Sequence, residues 1–178
     1  MAYQIDQSGK IEQTNKDTVI AYSNNKQYAI VIRRRLKRKV QEAFRLHGFI
    51  SLFIYYLFSV GVYYLIEHLV RISDITIDAE YPSKDRIIRS FLHGFLEKNR
   101  KPSHNIRFAR IGNRPRAHYA AKDVFDKKIK PDRIITIREI IEALKKTDGR
   151  LKECLSTLID VQARSYAKRI SKKHGKVK

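Results

Sequence analysis

Cysteine, methionine and tryptophan are nearly missing from this chain: 178 residues hold one Cys, one Met and no Trp. A lone Cys154 excludes a disulfide framework and a cysteine-built zinc site. No Walker-type loop, no G-x-G-x-x-G, no metal-spaced pair of histidines and no Ser-His-Asp order occur, so nucleotide hydrolysis and protease chemistry have no motif to rest on. Residues 1–17 are polar and contain no apolar stretch of the signal-peptide kind. With the single cysteine, this leads us to expect a reducing, cytoplasmic setting.

Acidic residues are also scarce. Eighteen Asp and Glu face thirty-eight Lys and Arg, a formal net charge of +20. Self-repulsion at that charge opposes compaction, whereas solubility of a small domain needs a net charge of only about 2–8. A polyanion is the simplest partner, because each neutralised phosphate releases condensed counterions. We therefore expect a nucleic-acid partner, RNA or DNA. An anionic membrane is the other polyanion.

The first third of the chain reads as strands. Residues 3–7, 18–22 and 28–32 are alternating or β-branched and aromatic runs, joined by Ser8-Gly9-Lys10 and by Asn24-Asn25, which suit turns. We expect a three-stranded antiparallel meander over residues 3–32. Composition then switches: Arg33 to Arg45 carries seven basic residues and one acid, with Leu36, Val40, Ala43 and Phe44 at helical spacing. Gly48 is expected to break or kink that helix.

From Phe49 to Ile66 no side chain is charged. Such a run nearly matches a bilayer's hydrocarbon core, and the basic block before it would be a cytoplasmic flank. A helix buried on all sides in a protein core is equally apolar. Four tyrosines inside the run, Glu67 and His68 directly after it, and strands on both sides favour a long core helix over residues 49–68. A single-pass membrane protein anchored by residues 49–66 is kept as an alternative.

Beyond it the pattern alternates. Residues 74–81 read as a strand ended by Pro82, with Ser83 as N-cap of a helix carrying Ile87, Ile88, Phe91, Leu92 and Phe95. Residues 106–111 form a further strand, 116–128 a helix, and 134–135 a short strand. Thr136 to Glu139 has capping-box form, and Asp148 suits the cap of the last helix. We expect an α/β domain over residues 1–135 and a C-terminal helical extension with a basic tail over 136–178.

Three antiparallel strands, then helix, strand, helix, strand and helix, with Asp6 on the first strand, resembles the ribonuclease H-like superfamily over about residues 3–128. Its nearest branch is the Holliday-junction resolvases, through the i,i+3 pair Asp123 and Asp126. The resemblance implies a ribonuclease H-like mixed sheet in which the fourth strand lies parallel beside the first. It also implies a metal site of Asp6 on the first strand, Asp78 or Glu80 at the end of the fourth, and a carboxylate from the helix after the fifth. On helix 116–128 the stripe is Ala117, Ala120, Ala121, Val124 and Phe125. Asp123 borders that stripe and is the better ligand, Asp126 points away, and His118 on the opposite border reads as a surface residue. Glu42 and Glu67 give no clear equivalent of the helical glutamate of ribonucleases H.

Mg²⁺ or Mn²⁺ is the implied cofactor, since hard ions take carboxylate and water oxygens, and two ions about 4 Å apart serve phosphodiester cleavage. The expected phosphate-binding residues are Arg33, Arg34, Arg35, Lys37, Arg38, Arg107, Arg110, Arg114 and Arg116, together with the basic tail. Phosphate contacts of this kind position a strand without reading sequence. The expected function is a nucleic-acid-binding protein with metal-dependent nuclease activity. Its alternative is a non-catalytic, ribosome-associated RNA-binding protein.

Overall fold

A computed structural model describes residues 2–69, 71–113, 115–147 and 149–174, with side chains described as far as residue 164. Asp148, and Arg114 among the expected phosphate ligands, lie outside the described residues. Six strands form one sheet: β1 (Ala2–Ser8), β2 (Thr18–Ser23), β3 (Gln27–Ile32), β4 (Asp74–Ile77), β5 (Asn105–Phe108) and β6 (Arg133–Ile134). Their order is β5-β4-β1-β2-β3-β6. β2 runs antiparallel to both neighbours, and every other pair is parallel. The meander is therefore where the sequence placed it, and β4 lies beside β1 as the resemblance implies.

Side-chain alternation gives the sheet two apolar faces. Ile5, Ile20, Ile30, Ile32, Ile75 and Ile77 point into the larger core. That core is completed by α1 (Arg34–Leu46), α2 (Phe53–Ile66) and α3 (Asp85–Lys98). It also takes residues from α5 (Ile137–Lys145) and α6 (Cys154–His174). Ile140, Leu144, Cys154 and Leu158 belong to the same core, so the C-terminal helices are packed into the domain. The opposite face is small: Val19, Ala21, Ala29 and Val31 lie under Ala120, Ala121 and Val124 of α4 (Arg116–Phe125). Short side chains on both partners let α4 settle close to the sheet.

The uncharged run is the central core helix. Among the described residues no helix is long and apolar enough to cross a membrane. Its charge-free stretch is divided between a 3₁₀ turn, Ile50–Leu52, and α2. The tyrosines explain the choice of solvent, because buried hydroxyls need protein acceptors. Tyr56 donates to the carbonyl of Ile140 at 3.2 Å and Tyr64 to that of Glu139 at 3.0 Å. Gly61 sets how closely α2 approaches: a Cβ there would come within 2.6 Å of Ile20 Cδ1.

Several boundaries move. β4 ends at Ile77 rather than running to Tyr81, and β5 spans only Asn105–Phe108. Ser83 adopts a left-handed φ of 64° and α3 starts at Asp85, with Lys84 in the cap position. α4 ends at Phe125, three residues short of expectation. The capping box holds: the Thr136 side chain accepts from the Glu139 amide and the Glu139 side chain from the Thr136 amide. Gly48 follows the end of α1 with φ of 76°.

Candidate functional site

Because β1 and β4 are parallel neighbours, their carboxyl ends lie side by side. Asp6 stands on β1, and Asp78 continues the ladder one residue beyond β4, its amide donating to the carbonyl of Ile5 at 2.9 Å. The chain then turns tightly, the Glu80 amide donating to the Asp78 carbonyl at 2.8 Å. Asp6, Asp78 and Glu80 each bring an oxygen to within 4.8 Å of the others, close enough to hold a metal ion. Two of these side chains were expected to share one face of a strand. They meet through a turn instead.

Asp6 is only 6% exposed. One of its oxygens accepts from the Gln7 amide at 2.6 Å, and the other lies 3.0 Å from Nδ1 of His118. Asp78 accepts from the Ile111 amide at 3.0 Å, which ties the loop after β5 to the cluster. Burial pushes the carboxyl of Asp6 above its ordinary range, and the neighbouring Asp78 adds to the rise, while the Gln7 amide and His118 oppose it. Glu80 is also raised, first by burial and then by the charge of Asp6. Lys10 Nζ reaches Glu80 only at 4.0 Å. Three carboxylates are thus crowded together with little cationic compensation, an arrangement that a bound cation relieves.

The helix contributes His118, and Asp123 is not brought to the cluster. Asp123 accepts from Lys128 Nζ at 3.1 Å, and Asp126 pairs with Lys122 at 2.9 Å. Both borders of the α4 stripe were visible, but its packing over β1 and β2 brings the His118 border to Asp6. The alternative glutamates are engaged elsewhere. Glu42 pairs with Arg45 at 2.7 Å, and Glu67 pairs with Arg133, whose guanidinium also bonds Glu139.

The cluster opens into a depression of about 290 Å³ whose rim includes Ile111, Gly112, Asn113, Pro115 and His118. Basic residues surround the same end of the sheet. Arg33, Arg34 and Arg35 follow the carboxyl end of β3 and Arg110 follows that of β5; Arg116, expected beside the carboxylates, instead lines a hollow with Ala2, Gln4 and Asn24 at the amino end of β1; all five are exposed, as is Arg38. Arg33 is partly committed, pairing with Asp17 at 2.7 Å. Arg107 is exposed on the sheet and donates through Nε to Thr76 Oγ1 at 2.7 Å.

Lys37 corrects an expectation. It is 0% exposed, and its ammonium donates to the carbonyls of Lys10 and Gln13, each at 2.9 Å, and to Thr18 Oγ1 at 2.8 Å. No phosphate can reach it. It clamps α1 to the β1–β2 loop, and burial lowers its pKa to about 8. A signal existed: Lys37 shares a helical face with Val40 and Phe44.

No family model matches the chain, and neither the curated proteins nor the solved structures contain a significant match.

Proposed function

We propose that this chain is a divalent-metal-dependent nuclease of ribonuclease H-like architecture, acting on the phosphodiester backbone of RNA or DNA. The observation that carries the reading is the meeting of Asp6, Asp78 and Glu80 at the carboxyl ends of two adjacent parallel strands. Support also comes from the antiparallel meander followed by parallel β4 and β5, and from the net charge of +20. In open α/β sheets the carboxyl ends of the strands are the usual place for ligands.

The donor set is all oxygen, which suits Mg²⁺ or Mn²⁺ better than softer ions. Asp6, Asp78 and Glu80 would hold the ion. When bound, it supplies Lewis-acid stabilisation of charge developing on the phosphate and makes water a better nucleophile at neutral pH. The chain's residues do the rest. The Gln7 amide and His118 fix the two oxygens of Asp6, and the Ile111 amide fixes Asp78, so the ligands are oriented before substrate arrives. His118 lines the depression and can hold or pass a proton at its edge. Arg33, Arg34, Arg35 and Arg110 draw the phosphate backbone to that end of the sheet.

Purified protein should cut at least one of single-stranded RNA, single-stranded DNA, hybrid or branched DNA in the presence of Mn²⁺. Asp6→Asn should abolish cutting and leave binding intact. The single observation favouring a second reading, a non-catalytic RNA binder, is that His118 occupies the place where the resemblance implies a further carboxylate. Binding without cutting on every one of these substrates would establish it.

A further inference from the structure

The face of the sheet that carries Asp6 continues past the cluster toward the amino ends of β1, β4 and β5. Register fixes the path. Thr76 pairs with Gln4 on one side and Arg107 on the other, and Asp74 pairs with Ala2 and Asn105. Side chains two residues apart share a face, so Arg107, Thr76 and Gln4 form a polar row next to the row of Asp6 and Asp78. Two residues along a strand and one strand across put Arg107 roughly 8 Å from Asp78, Cα to Cα. α4 lies over β1, β2 and β3, and Asp74, Asn105 and Arg107 are exposed.

A second hollow opens there, about 510 Å³ in volume, lined by Asp74, Arg89, His104, Asn105 and Arg107 among others. Its groups are built in. Thr76 orients the Arg107 guanidinium through Nε, leaving the terminal nitrogens of Arg107 uncommitted among the described residues. Arg89 reaches round the sheet edge to the carbonyl of Ile106 and lies 5.3 Å from the centre of the Phe108 ring. Asn105 donates to Asp74 at 3.0 Å. His104 is 7% exposed, and neither of its ring nitrogens has a partner among the described residues. Burial lowers its pKa, so the ring is neutral and offers one donor and one acceptor. An unpartnered buried pair of that kind is costly unless something satisfies it.

We propose that this hollow is a nucleotide-binding subsite: it seats one nucleotide of a nucleic-acid strand whose backbone continues up the sheet to Asp6, Asp78 and Glu80. Arg107 takes the phosphate next along from the one at the carboxylates. Its free fork matches two phosphate oxygens. The Asn105–Asp74 pair faces the rest of the nucleotide with the mixed donor and acceptor that sugar hydroxyls and base edges recognise, and the buried His104 ring lines the same hollow. This rests on the reading of the carboxylate cluster as the place where the backbone is cut. It adds a direction to the substrate, running from the carboxyl to the amino ends of β4 and β5.

The test uses the full chain and fluorescein-labelled single strands of about 12 nucleotides, one RNA and one DNA, in EDTA so that nothing is cut. Anisotropy is read from about 50 to 200 mM salt. Arg107→Ala is expected to weaken binding about tenfold and to lower the salt slope by about one, with Arg107→Lys recovering part of the loss. The better-bound strand identifies the sugar. Titration with 5′-UMP or 5′-dTMP should shift the His104 ring resonances, a readout that needs no variant at all. Unchanged affinity and slope in Arg107→Ala, with His104 unmoved by either mononucleotide, would overturn the subsite even if wild type cuts strands with Mn²⁺. Conversely, weakened binding in Arg107→Ala by a protein that cuts nothing supports the subsite and removes the cleavage reading alone.

Discussion

His118 Nδ1 lies 3.0 Å from Asp6 Oδ2, joining the first turn of α4 to the middle sheet strand β1. Asp123, five residues further along the same helix, is about 140° round its axis and bonds Lys128 instead. One helix therefore offers the cluster an imidazole and keeps its carboxylate at the surface.

The two residues should differ sharply in function. His118→Ala is expected to lower the Mn²⁺-dependent cleavage rate by about 10²-fold, the lower end of what positioned acid–base groups supply. Asp123→Ala should leave the rate within about twofold, as a surface substitution does. Single-turnover rates on whichever strand the wild type cuts decide this. A large loss in Asp123→Ala with none in His118→Ala would return the helical ligand to Asp123.

Lys37 makes a prediction about pH. Its folded pKa, about 8, lies below the unfolded value near 10.4. Between those values the unfolded chain binds more protons, so stability rises with pH across the window, and the buried ammonium costs the fold on the order of 3 kcal/mol below it. Lys37→Met removes that titration. Urea unfolding should therefore show the wild type gaining on Lys37→Met as pH rises from about 8 to 10. A wild type that instead loses ground to Lys37→Met over that range would mean the three acceptors hold the ammonium more strongly than burial penalises it.

Much of this architecture was legible because its signals are local. The meander announced itself through β-branched runs and Asn turns, and Asp6 followed from lying on the first strand. Asp78 and Glu80 were found for a partly wrong reason, since a turn after Ile77 and not strand alternation brings them together. What the sequence could not say was which border of the α4 stripe faces β1, because that depends on how the helix tilts over small residues of other strands. Lys37 was misread for the opposite reason. Six neighbouring basic residues hid one whose helical phase matched the apolar face.

Packing against α2 gives a third prediction. In Gly61→Ala the new Cβ would lie 2.6 Å from Ile20 Cδ1 and 3.1 Å from Ile32 Cδ1. Overpacking of this kind costs about 1–3 kcal/mol, partly offset by alanine's better helix propensity. Thermal unfolding should show Tm lower by roughly 2–8 °C. An unchanged or raised Tm would mean that α2 is free to move away from the sheet.

The account stands on the carboxylate cluster holding a divalent ion, and isothermal titration of Mn²⁺ into metal-free protein tests that most directly. Wild type should give a saturable isotherm and release protons on binding, more at pH 5 than at pH 7.5, because Asp6 and Glu80 are both raised above their ordinary range. Asp6→Asn and Asp78→Asn should each bind at least about tenfold more weakly while keeping the wild-type circular dichroism spectrum. Identical isotherms for wild type and both variants would contradict the account.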